Sequence, residues 1–257
     1  MKTELARESY YRAMISQQTR VEETEVAGSA ASQANVIPVR KRRNVLKFTL
    51  VIIAALLAYA AFDLLAPRSS RMRNFDADEV ARLDTAMWRS YYAKQQLKLY
   101  NQLTELLRTQ YNLPFVRSNT VAYQAARAAF VFKVGHNRQE YEKALPYLVS
   151  FYTSIHKVSD IHFDIDRAAR LELEWWIIHR ERGKHSPNDL ERALADLSSE
   201  LYQMPSERFT EYARLRAEAM TIRDNKADQG GVTEADWARI DALLHQSWQS
   251  LFSAVNA

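Results

Sequence analysis

Glu172 and His179 are the two side chains of this sequence best placed to do chemistry. They lie in the stretch 166–182 (DRAARLELEWWIIHRER). At 100° per residue it makes a helix with a polar arc of Arg167, Arg170, Glu174 and Glu181. Its other side carries Leu171, Trp175, Trp176 and Ile178, and Glu172 and His179 point into the middle of that apolar side. A carboxylate and an imidazole are costly there unless partners meet them. Burial also shifts proton affinities, which is how acid–base groups are tuned. The two sit about 10 Å apart along the axis, too far to bond each other, yet they could flank one pocket. Arg170 and Glu174 have the spacing of a helical ion pair. Two readings follow. One is a small-molecule-binding or hydrolytic site around Glu172, Trp175, Trp176 and His179. The other is a pair of buried polar anchors met by Arg or Tyr from neighbouring helices, and networks of that kind are commoner than unannounced active sites.

A weaker cluster comprises His156, Asp160, His162, Asp164 and Asp166. Imidazoles and carboxylates suit a divalent cation, and His156 and Asp160 are four apart on one helical face. His156, Asp160 and His162 are therefore the metal candidates, while Asp164 has a plain role as a helix cap. The motifs that announce familiar chemistry are missing from the sequence: Glu-x-x-His, His-Glu-x-x-His, the nucleophile elbow and any glycine-rich phosphate loop. The chain has no cysteine, which removes disulfides, thiolate metal sites and a thiol nucleophile. No catalytic residue is assigned, no cofactor is expected, and a non-enzymatic role is favoured.

The elements that would position these residues are helices throughout. The expected helices are 77–112, 119–134, 138–159, 165–182, 187–203, 207–227 and 234–254, an all-α antiparallel bundle of about seven helices. Ser118, Asp164, Ser186-Pro187, Ser206 and Thr233 read as start signals. Gly135, Gly183 and Gly230-Gly231 fall where helical patterns end, as left-handed closing residues do. Pro146 should kink or split the third helix. Trp88, Tyr92, Leu99, Leu103 and Leu106 stack along the first helix. Trp237, Ile240, Leu244, Trp248 and Leu251 make a seam on the last, and Ala122, Ala125, Ala126 and Ala129 give the second a small-residue face.

The bundle follows a different kind of segment. The run from Val45 to Ala66 makes about 33 Å of helix, enough to cross a hydrocarbon core of about 30 Å. Pro67 ends it, and Lys47 and Asp63 near its two ends are placed to reach the interface. Arg40, Lys41, Arg42, Arg43 and Lys47 precede it against Arg68, Arg71 and Arg73 after it. The positive-inside rule then puts the amino terminus in the cytoplasm. A leader cleaved after Ala60 is the competing reading, since Ala58-Tyr59-Ala60 has the small-x-small pattern, but more than 40 leading residues is long for one. The formal charge of +4 resides in residues 1–47, with nine Lys/Arg against five Glu. The rest balances, which speaks against a nucleic-acid partner. The expected organisation is a disordered basic tail (1–44, with a short helix over Glu4–Ile15), a transmembrane helix (45–66), a linker (67–75) and an extracytoplasmic helical domain (76–257).

The stretches Asp84–Tyr92 (DTAMWRSYY), Arg127–Lys133 (RAAFVFK) and Arg167–Arg182 resemble those of a group of uncharacterised bacterial single-pass membrane proteins. The resemblance spans most of residues 45–257 and implies an anchor followed by an extracytoplasmic α-helical domain. It implies no activity, substrate or site residue, and the leader before Arg40 is longer than the group's. The expectation is a single-pass bacterial inner-membrane protein with a periplasmic domain. Its partners would be the lipid bilayer, through residues 45–66, and an unidentified envelope protein.

Overall fold

The computed structural model describes residues 39–257. The expectations for the tail, including the helix over Glu4–Ile15, lie outside the described residues. Helix α1 (Val39–Leu65) contains the segment Asn44–Leu65, long and apolar enough to cross a membrane, with mean hydropathy 2.3 and exposed throughout except at Ala60 and Asp63. The chain forms two compact units, one up to Ala58 and the other from Tyr59 to Ala257, so the last turns of α1 belong to the second.

Among the described residues the rest is helical, with one isolated bridge between Ser70 and Ser159. Eight helices of twelve or more residues follow: α2 (Ala77–Tyr92), α3 (Gln96–Tyr111), α4 (Phe115–Val134), α5 (Leu145–His156), α6 (Ile165–Arg180), α7 (Pro187–Tyr202), α8 (Thr210–Asp228) and α9 (Glu234–Asn256). Each packs on its neighbour in sequence, and α9 closes the ring against α2. Phe209, Met72, Leu83, Leu107, Leu148 and Ile155 are fully buried in the main core. A smaller cluster of Leu215, Ala219, Trp237, Ile240, Leu243 and Leu244 lies under Trp88 and Tyr92. The segment 67–75 is packed into the body. Met72 and Phe75 are buried, and the Met72 N–H donates to Asp160 Oδ1 at 2.9 Å.

Local chemistry explains most helix starts. Asp76 accepts from the N–H groups of Asp78 and Glu79, and Asp164 accepts from that of Arg167. Ser186 with Asp189, and Thr233 with Asp236, form reciprocal capping boxes. Pro146 divides its helix as expected. A one-turn helix (Arg138–Tyr141) and a 3-10 turn (Glu142–Ala144) lead into α5, whose first turn holds the proline.

Several expectations need correcting. The expected helix 77–112 is two helices, because Lys94 (φ 58°) is left-handed and turns the chain. Trp88 and Tyr92 therefore do not share a helix with Leu99, Leu103 and Leu106. α4 starts at Phe115 rather than after Ser118, which is buried inside it and donates to the Phe115 carbonyl. Its buried side is Ser118, Val121, Ala122, Ala128 and Phe132, while Ala126 faces outward. Gly135 (φ −71°) is not left-handed; a Cβ there would lie 2.8 Å from the Tyr141 ring, so close packing requires the glycine. Gly183 is not left-handed either but sits inside a 3-10 turn (Arg182–Lys184), whereas Gly230 and Gly231 do have positive φ, 110° and 142°.

Candidate functional site

Glu172 lies against α5. The Tyr152 hydroxyl donates to Oε2 at 2.8 Å, and Trp176 Nε1, one turn further along α6, donates to Oε1 at 2.9 Å. Burial, the largest influence, pushes the carboxyl above its ordinary value. The Tyr152 hydroxyl, the two nearby indoles and the more distant Arg216 oppose this without cancelling it. Burial and the adjacent carboxylate likewise push the Tyr152 hydroxyl far up. Trp175 Nε1 is also buried but meets no acceptor in hydrogen-bonding geometry.

His179 serves a different neighbour. Its Nε2 lies 2.9 Å from Asp224 Oδ2 on α8, whose other oxygen accepts from Arg223 at 2.7 Å. Arg223 in turn stacks on Tyr92 of α2, and Arg182 pairs with Asp228 at 2.8 Å. Burial pushes the Asp224 carboxyl up, but hydrogen bonds and charge from His179 and Arg223 together outweigh it and leave the carboxyl below its ordinary value. A carboxylate holding an imidazole makes two members of a hydrolytic triad, but among the described residues no hydroxyl is hydrogen-bonded to His179. Glu172 and His179 thus tie α6 to α5 and to α8 respectively. The surface recess between α3 and the start of α4, and the one between α7 and the turn before α8, are not lined by them or by Trp175 and Trp176.

The polar arc of α6 also pairs across helices rather than along one. Glu174 bonds Arg138, not Arg170, and Arg167 reaches Glu200 at 3.1 Å. Among the described residues no three His, Asp or Glu side chains converge as a metal set. The rings of His156 and His162 are 5.6 Å apart, but Asp160 is turned away to Met72. The expected trio His156, Asp160 and His162 is therefore not assembled.

A buried polar centre escaped the sequence reading. Asp84 of α2 accepts from Arg216 of α8 and, at 2.9 Å, from Trp248 Nε1 of α9. The Arg216 guanidinium lies 5.6 Å from the Trp88 ring centre and 5.7 Å from that of Trp248. Burial disfavours its charge, yet the Asp84 carboxylate more than restores it. The available signal was a lone aspartate one turn before Trp88 on an otherwise apolar face.

The second missed feature joins α1 to α4. Asp63 does not reach outward but is 2% exposed, and its Oδ2 accepts the Val116 N–H at 2.9 Å. It caps the amino-terminal end of α4, whose own capping position is Pro114, without a side-chain acceptor. In return Arg117 Nη2 donates to the carbonyls of Asp63 (2.7 Å), Leu64 (2.9 Å) and Ala66 (3.0 Å), closing the end of α1. Each helix thus supplies the charge that complements the other's terminal dipole. Arg180 does the same for α4, donating to the carbonyls of Phe132 and Gly135 while stacking on the Phe132 ring at 4.2 Å.

Comparison with protein-family models, curated proteins and solved structures finds no match for this chain.

Proposed function

We propose that this chain is a membrane-anchored helical interaction protein of the bacterial cell envelope. In this reading α1 crosses the inner membrane, the amino-terminal tail is cytoplasmic and the helical body is periplasmic. The body is the part that binds, and it performs no reaction.

The outward face of α4 carries the proposal. Tyr123, Ala126, Phe130 and Val134 are all exposed and fall within one arc of the helix. Contiguous apolar surface of this kind marks interaction sites, and aromatic side chains dominate their energetics. Arg127 edges the face, donating to the Tyr147 hydroxyl at 2.9 Å and lying over that ring. The partner this surface fits is an envelope protein presenting an apolar patch of its own. The polar groups on α6 hold helices together, which is the work their partners give them.

The chain lacks cysteine, so single cysteines can be introduced one at a time for crosslinking in native membranes. Adducts should form from Tyr123→Cys and Phe130→Cys but not from Arg192→Cys, an exposed residue of α7. Equal crosslinking from all three, or none from α4, would overturn the interaction reading. Labelling of Ala257→Cys by an impermeant maleimide in cells with an opened outer membrane tests the compartment; protection until the inner membrane is breached would overturn it.

A further inference from the structure

We infer that the groove beside the end of α1 is a binding site for a phosphate-bearing anion, with a phospholipid headgroup as its source. The groove, about 800 Å³, runs between α3, the start of α4 and the segment after α1. That volume lies in the usual range for ligand recesses. Arg68 and Arg108 line it, and neither has an ion-pair or hydrogen-bond partner among the described residues. Arg117, next along, is different, being spent on backbone carbonyls. Asn101 and Asn112 add amide donors, and Glu105 is the one carboxylate in the lining. Two uncommitted guanidiniums with flanking amides match the oxygens of a phosphate, which arginine binds through paired hydrogen bonds.

The source follows from where the groove sits. Phe115, 58% exposed, stands at its rim. The next residue, Val116, is bonded to Asp63, and Arg117 to Leu64, in the final turn of the apolar segment. This step rests on the proposal that α1 crosses the bilayer. If it does, its last turn lies at the interface, so a groove tied to that turn by four hydrogen bonds opens at headgroup depth. At that depth arginines are drawn to anionic headgroups while an apolar ring meets the acyl chains. Phe115 would enter the acyl boundary while Arg68 and Arg108 hold the phosphate.

The test uses the full chain reconstituted in vesicles of phosphatidylcholine mixed with phosphatidylglycerol, then gently extracted for native mass spectrometry of co-retained lipid. Retention should favour phosphatidylglycerol. It should fall about fivefold for Arg68→Gln or Arg108→Gln and about thirtyfold for the pair, since each arginine near an anionic headgroup contributes about 1 kcal/mol. Both side chains are exposed, so folding should survive, and an unchanged circular-dichroism melt verifies it. Arg192→Gln, on α7, should leave retention unchanged. Displacement of the lipid by excess inorganic phosphate would keep the phosphate site and reassign its source to free phosphate. Equal retention of both lipids, or retention indifferent to both arginines, overturns the site. Alkaline extraction separates the two proposals. A chain that leaves the vesicles overturns the α1 reading and the lipid source with it, whereas one that stays but shows no selectivity overturns the groove alone.

Discussion

Replacing Asp63 by alanine removes the carboxylate that caps α4 and leaves the Val116 N–H without its 2.9 Å acceptor. Losing a helix cap costs about 1–2 kcal/mol. The value should not run far above that range, because Asp63 Oδ1 is itself buried without a partner and its desolvation is relieved by the change. For a body of this size such a loss lowers the melting temperature by roughly 2–8 °C. Arg117→Ala removes three charge-assisted bonds to the end of α1 and should cost about 1–3 kcal/mol. Either change loosens the same junction, so the double variant should lose less than the two together, with a coupling of at least about 0.5 kcal/mol. Circular-dichroism melts of the full chain in mild detergent give the stabilities, and amide exchange at Val116 reports the cap directly. Asp63→Asn keeps an acceptor oxygen and should recover most of the loss. A Val116 amide that exchanges no faster in Asp63→Ala, together with a melt like that of the parent, would refute the reciprocal cap.

Glu172→Leu should destabilise the body by about 2–4 kcal/mol, because it strands both the Tyr152 hydroxyl and the Trp176 N–H; urea midpoints measure it. Since the folded state holds the Glu172 proton more tightly than the ordinary 4.5, its contribution is full below pH 4.5 and declines as pH rises through the folded value; Glu172→Gln should flatten that part of the stability profile. Asp224 runs the other way. Its carboxyl lies below the ordinary 3.8, so its contribution is present above pH 3.8 and is lost on acidification through the folded value, a loss that Asp224→Asn should abolish. Asp84→Leu leaves Arg216 buried without its counter-charge and should cost about 3–5 kcal/mol, whereas Asp84→Leu with Arg216→Met should recover most of it. Equal losses in the single and double variants would refute that ion-pair argument.

What was legible in the sequence is what short-range chemistry decides. Asp164, Ser186 and Thr233 cap the helices that follow because each needs only an N–H three residues on. Pro146 divides its helix because its ring acts on the turn before it. Glu172 and His179 could be placed on the packed side of α6 from periodicity alone. Their partners could not, since Tyr152 is twenty residues away and Asp224 forty-five. The break between α2 and α3 hides for a related reason. Lys94 takes the left-handed turn without being glycine, as do Asn112 and Gln203, so no residue type marks it, and the apolar period runs on across the turn.

The start of α4 shows the limit most clearly. Ser118 has the chemistry of a cap and lies just before an alanine-rich run, yet it is buried within the helix. The acceptor that closes the helix is Asp63, fifty-three residues earlier in a segment long and apolar enough to cross a membrane. The same residue read alone is a charge tolerated near the end of an apolar helix. Its cost there is offset by the dipole of α4 and by the guanidinium of Arg117, which arrives one residue after the amide that Asp63 accepts. A carboxylate and an arginine that each terminate the other's helix make sense only as a pair. This junction, more than any candidate for chemistry on α6, is where the apolar segment and the helical body depend on each other.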